Sequence, residues 1–174
     1  MTYSELVDSI PEYAKDLKLN LGNVMDQSEL TAQQAWGTAV ACSLAARNRQ
    51  LYRAVVAEAG ARLSPQALFG ARAAAAVMGM NNIFYRFRHF SSNQNYGAIP
   101  ARLRMQSIRT HGTDPADFEL WCLAVSAING CGVCVDAHEK VLQEKGVGEE
   151  TILAAVRIAS VIHALAAVMD AVTA

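Results

Sequence analysis

Neither charge is in excess in this sequence. Fifteen Lys and Arg stand against 16 Asp and Glu, a formal net charge of −1. That balance gives no electrostatic reason to expect nucleic acid or an anionic membrane as partner. Proline and glycine are scarce, 4 and 11 among 174 residues, while 52% of the chain is hydrophobic. A disordered chain is thereby excluded as a class, and one domain with a substantial core is expected over residues 1–174. No alternating strand pattern of useful length occurs. No G-x-G-x-x-G is present, so any NADH would be used by a separate reductase. The start, Met1-Thr2-Tyr3-Ser4-Glu5, lacks the basic and then apolar regions of a signal peptide, and a cytoplasmic protein is expected. The most apolar segment, 152–172, is broken by Arg157, His163 and Asp170, so no membrane span is expected. Also missing are a second C-x-x-C and any H-x-x-x-H, the usual second half of a zinc site.

What is there is helical throughout, and the fold class is all-α. Thr2-x-x-Glu5 and Thr31-x-x-Gln34 have the form of capping boxes, and Pro11 suits a helix start. Ser64-Pro65 opens an alanine-rich helix running towards Tyr85, and residues 91–96 form a polar loop. Asp114-Pro115 starts a helix over 116–129 with Phe118, Trp121, Cys122, Val125 and Ile128 towards the core, ended by Gly130. The cysteine-bearing helix follows and stops near Gly146, and a last helix starts around Glu149-Glu150. Ser64 to Ala75 matches Glu149 to Ser160 in pattern, with Leu68 over Leu153 and Arg72 over Arg157, and Gly60 and Gly146 each end the preceding helix. This faint repeat divides the chain into a scaffold half, about 1–90, and a working half, about 100–174.

The chemistry gathers in Asn129-Gly130-Cys131-Gly132-Val133-Cys134-Val135-Asp136-Ala137-His138. On a helix Cys131, Cys134 and His138 share one face, and residues three apart have Cβ atoms about 5–6 Å apart, within reach of a disulfide. The N–H groups of a first turn favour thiolate over thiol. A thiolate can attack the O–O bond of a peroxide and become a sulfenic acid, which the second thiol condenses with to form a disulfide. An external dithiol then reduces that bridge by exchange. Two other readings stay open: a zinc-binding or redox-sensing module using the same cysteines, and a decarboxylase-like enzyme that needs no thiols. Three ligands fall short of a zinc site, which favours redox chemistry. Cys42 and Cys122, among Ala, Val and Leu, read as buried hydrophobes. His89, His111 and His163 read as structural. Spacing alone makes Glu119 an exposed glutamate near a helix start, although it shares a face with Cys122 and Ser126. Arg86, Arg88, Arg102, Arg104 and Arg109 are expected to pair with carboxylates.

Phe118-Glu119-Leu120-Trp121, followed by Ser126-Ala127-Ile128-Asn129-Gly130-Cys131-x-x-Cys134-x-x-x-His138-Glu139, resembles the alkyl hydroperoxide reductase D (AhpD) family of the carboxymuconolactone decarboxylase-like superfamily. Met80-Asn81-Asn82 with Tyr85-Arg86-Phe87-Arg88-His89, and Pro100-Ala101-Arg102-Leu103-Arg104-Met105, are similar to it as well. The resemblance implies an all-helical fold of two related halves in a homotrimer, and a thiol peroxidase acting on alkyl hydroperoxides with no bound cofactor. It implies electrons from NADH through lipoamide dehydrogenase and the dihydrolipoamide of a lipoyl domain, and re-reduction of a peroxiredoxin partner (AhpC). Cys134 matches the less exposed, peroxide-attacking cysteine. Cys131 matches the more accessible one, which donates a proton, closes the disulfide and meets the partners. Glu119 and His138 match the proton relay. Val133 stands where some members have a further relay histidine. Helix-terminus chemistry by itself would instead make Cys131 the more acidic thiol.

Overall fold

The structure, a computed structural model, describes residues 1–173. Among them are ten α-helices, one 3-10 turn and no strand. The N-terminal arm is α1 (Tyr3–Asp8), the 3-10 turn Glu12–Ala14 and α2 (Lys15–Met25). Then come α3 (Ala32–Ala45), α4 (Arg49–Ala59) and α5 (Pro65–Phe90), joined through the short α6 (Asn95–Ala98) and α7 (Ser107–Thr110) to α8 (Pro115–Ile128), α9 (Gly132–Glu144) and α10 (Glu149–Thr173). The triads α3–α5 and α8–α10 have lengths of 14, 11, 26 and 14, 13, 25 residues.

Local chemistry sets these boundaries. Both capping boxes form, Thr2 with Glu5 and Thr31 with Gln34, each satisfying two otherwise orphan N–H groups. Pro11 precedes the 3-10 turn instead of opening an α-helix directly. Helices α8 and α9 end in the same way. Gly130 and Gly146 take left-handed φ values of 65° and 78°, and the following N–H groups turn back, Cys131 to the Ser126 carbonyl and Val147 to the Leu142 carbonyl, both at 3.0 Å. This double reversal needs a residue without a Cβ penalty at the left-handed position. Gly60 differs: its φ is −60°, so it follows α4 without a left-handed turn. The polar loop is shorter than its composition suggests. The Asn93 side chain accepts the Asn95 N–H at 3.1 Å and starts a single helical turn that takes in Tyr96.

The core lies where α3, α5, α8 and α10 pack together, with α3 in the middle. Asp117, buried on α8, accepts from Gln33 and Gln34 of α3 at 2.7 and 3.0 Å, so its charge is paired with two amide donors. Helix α10 is long and apolar enough over 149–172 to cross a membrane by length and composition, but 56% of its apolar window is buried inside the protein. Its apolar face packs on α2, α3, α4 and α8, which is the role of a core helix.

The closest approach in the core is at Gly37 of α3. A Cβ there would lie 2.2 Å from Cζ2 of Trp121, a fully buried indole whose Nε1–H donates to the Gln34 carbonyl at 3.3 Å. A fully buried ring fixed by that hydrogen bond has little room to move aside. Gly37→Ala is therefore expected to lower stability by about 3 kcal/mol, despite the better helix propensity of alanine. Urea denaturation of the two proteins measures it, and an unchanged midpoint would contradict the packing described.

Candidate active site

The site is assembled on three helices, α5, α8 and α9. The reversal at Gly130 sets its geometry, because it drops Cys131 onto the first turn of α9 as that helix's N-cap residue. Val135 N–H and Cys134 N–H both donate to the Cys131 carbonyl at 3.0 Å. Cys131 and Cys134 are joined by a disulfide, with Cα atoms 5.3 Å apart. The turn is held from α5 as well. Asn82 Nδ2 donates to Ser126 Oγ and Asn129 Nδ2 donates to Asn82 Oδ1, both at 2.9 Å, while Arg86 donates to the Asn129 carbonyl. A partly buried network of this kind holds the backbone segment it ties down. It was not visible in the sequence, beyond the proximity of Asn81, Asn82 and Arg86 in one helical run.

Glu119 is not an exposed first-turn residue. It lies in the second turn of α8, its side chain only 16% accessible, with Oε2 2.6 Å from His138 Nδ1. A carboxylate turned inward requires a donor, and the imidazole one turn beyond Cys134 on α9 supplies it. The other ring nitrogen of His138, Nε2, lies 3.2 Å from Met78 Sδ. That sulfur also accepts from Ser126 Oγ at 3.5 Å. Met78 was not singled out by sequence, since a methionine in an alanine-rich helix reads as core.

Cys134, His138, Met78 and Val133 border a cavity of about 380 Å³, whose remaining wall includes Tyr85, Met105 and Ile108. Cys131 is 1% exposed and Cys134 6%. Cys131 is thus the less exposed residue of the pair in the disulfide form, where the resemblance implies the more accessible one. Its position in the turn between α8 and α9, with its N–H bonded to Ser126, folds it against α8. Val133 is exposed at the cavity edge and offers no proton-transfer group there.

The other candidates fall elsewhere. Cys42 and Cys122 are free and buried, and burial pushes both thiols well up from their ordinary value. Neither is a nucleophile at neutral pH. Among the described residues no group of three or more His, Cys, Asp or Glu side chains is placed to hold a metal ion. Arg86 and Arg88 do not follow the expected pairing: they donate to the carbonyls of Asn129 and Gly97, not to carboxylates.

His111 is structural in a definite way. Its ring stacks on Phe118 with centroids 4.1 Å apart, and its Nδ1 accepts the Thr113 N–H at 3.2 Å. An accepting Nδ1 must be unprotonated, and burial lowers the pKa further, with Glu119 and Asp114 opposing. Below about pH 6.5 the unfolded chain binds a proton at this position that the folded protein resists. Stability contributed by neutral His111 therefore falls as pH drops below that value. His111→Asn, which keeps an acceptor but cannot titrate, is expected to flatten the decline in thermal midpoint between pH 7 and 5. An equal decline in both proteins would assign it to other groups.

Residues 94–174 match the carboxymuconolactone decarboxylase family. Over the whole chain the likeness is narrower. The sequence is 70% identical to the alkyl hydroperoxide reductase AhpD of Solibacter usitatus, covering 98% of this chain and 96% of that protein. The chain belongs to the AhpD family. Proteins of the same name from Acidobacterium capsulatum and Methylobacterium sp. are 60% and 58% identical, over 98% and 100% of this chain and 94% and 99% of theirs.

Proposed function

We propose that this protein is an antioxidant dithiol peroxidase that reduces organic hydroperoxides. The observation that carries the reading is the Cys131–Cys134 disulfide at the edge of an apolar cavity shared with His138, itself paired with Glu119.

In the reduced protein, Cys134 passes its proton to the His138–Glu119 pair, and the resulting thiolate attacks the terminal oxygen of the hydroperoxide. An S–O bond forms and the O–O bond breaks. The departing alkoxide takes a proton and leaves as the alcohol. Cys131 then attacks the sulfenic sulfur, the S–S bond forms, and the hydroxyl leaves as water after taking up the Cys131 proton. Two exchange steps with an external dithiol restore both thiols, the dithiol leaving as its own disulfide. Dihydrolipoamide on a lipoyl domain is the proposed dithiol, recharged by lipoamide dehydrogenase from NADH, and a peroxiredoxin (AhpC) is the proposed protein partner. Of the two cysteines Cys134 borders the cavity, which offers a slender dithiol one way in.

A homotrimer is part of the same proposal. Ile83, Phe87 and Phe90 are exposed along one face of α5, with Ile99 exposed in the following segment. Apolar residues grouped in this way suit burial between subunits. The division into a scaffold triad α3–α5 and a working triad α8–α10 belongs to the proposal too.

The test is hydroperoxide consumption by the purified protein with dihydrolipoamide as reductant. Consumption no faster than with the reductant alone would end the peroxidase reading. The zinc-module alternative would then be checked by metal analysis and thiol titration of freshly purified protein.

A further inference from the structure

Met78 is a core methionine whose sulfur is set among polar groups. The residue is 1% exposed on α5. Its Sδ nevertheless lies 3.2 Å from His138 Nε2, 3.5 Å from Ser126 Oγ and 3.7 Å from Asn82 Nδ2. A thioether has no proton to give, so a polar neighbour that meets it favourably must be a donor. Ser126 meets that condition. Its Oγ already accepts from Asn82 Nδ2 at 2.9 Å, which leaves the hydroxyl proton for the sulfur. His138 meets it in one state only. An unprotonated Nε2 would turn its lone pair on those of the sulfur, whereas Nε2–H donates.

The other side of the ring completes the proton count. Glu119 Oε2 is 2.6 Å from Nδ1, so one proton lies between those two atoms. With another on Nε2 the pair holds two protons, which is the loaded state of a relay. We propose that Met78 is a positioning residue of this relay, its sulfur holding the proton on His138 Nε2 while Glu119 holds the ring at Nδ1. The proposal rests on the peroxidase reading for its consequence and adds to that reading a third member of the relay.

A sulfur acceptor suits the task. It is weaker than an oxygen and is carried on a flexible side chain, so it orients Nε2–H and gives way when the proton moves. In the disulfide form the next group to leave is a cysteine thiolate, released as the external dithiol attacks the bridge, and the loaded pair has a proton for it. Met78 also joins His138 to the ties that hold the cysteine turn. Ser126 and Asn82 both meet its sulfur, and Asn82 Oδ1 accepts from Asn129, two residues before Cys131.

Nitrogen NMR of histidine-labelled protein reads the protonation of Nε2 without turnover, with His138→Gln used to assign the resonance. Spectra are taken of the full-length disulfide form at pH 7 for three proteins. They are wild type, Met78→Leu, which keeps the bulk and loses the acceptor, and Met78→Gln, which restores one. Expected is a protonated Nε2 in wild type and Met78→Gln, and an unprotonated one in Met78→Leu. In the reduced protein, kcat/KM for cumene hydroperoxide should fall about tenfold in Met78→Leu, with far-UV circular dichroism unchanged. An unprotonated Nε2 in wild type overturns the assignment, and so does a protonated one in Met78→Leu. The wild-type spectrum decides alone should a variant not fold. Undiminished kcat/KM in Met78→Leu removes Met78 from the relay. The expected spectra, together with a wild type that consumes no hydroperoxide, support the Met78 contact and overturn the peroxidase reading instead.

Discussion

Cys134→Ser is expected to reduce hydroperoxide turnover to background. A serine hydroxyl in that place is neither ionised near neutrality nor able to form the S–O and S–S bonds of the cycle. Cys131→Ser should abolish turnover as well, for another reason: the sulfenic acid on Cys134 would form and have no neighbouring thiol to resolve it. The two variants separate on a single addition of hydroperoxide to the reduced proteins. Cys131→Ser should release one equivalent of alcohol and acquire a trappable sulfenic acid, whereas Cys134→Ser should release none. The reverse result would exchange the roles of the two sulfurs, in line with helix-terminus acidity and against the family resemblance. Cys42→Ala is the matched control, since a thiol fully buried in the core with its pKa pushed up takes no part. Mixed disulfides trapped with a lipoyl dithiol on the same two serine variants would then show at which sulfur the reductant enters.

Substitution of the paired carboxylate should be nearly as damaging. In Glu119→Gln the carboxylate oxygen 2.6 Å from His138 Nδ1 is replaced by a neutral amide that cannot take up a proton in the proposed relay. General acid–base groups contribute about 10²–10⁴ in rate, so a fall of at least about a hundredfold in kcat/KM for hydroperoxide is expected. His138→Gln should fall as far, and the double variant no further than the worse single one, because the two residues act as one unit. Near wild-type kcat/KM in Glu119→Gln would leave the pair a structural link between α8 and α9. Far-UV circular dichroism of each variant checks that the helices remain.

Much of the architecture was written in short-range signals. Capping boxes at Thr2 and Thr31, the Asp114 and Ser64 caps before proline, and the left-handed glycines at 130 and 146 are decided by groups a few residues apart. The C-x-x-C spacing belongs to the same class, because one helical turn sets how far apart its two Cα atoms lie. Glu119 shows where this kind of reading fails. Its helix position was legible, but its burial depended on α9 packing back across α8, and the partner is 19 residues away. The arginines failed similarly: Arg86 found the carbonyl of Asn129, 43 residues on, before any carboxylate.

The amino-acid order alone determined that the chain is helical, where most of its helices start and stop, and that two thiols and an imidazole share about two turns at the start of α9. Only the packed molecule decided that His138 meets Glu119, that Met78 lies against its other nitrogen, and that Cys131 is the less exposed residue of the pair. The physical reason is range. Caps and turns are settled by hydrogen bonds between near neighbours, whereas burial and partner choice depend on which helix faces come together, and no local pattern specifies that meeting.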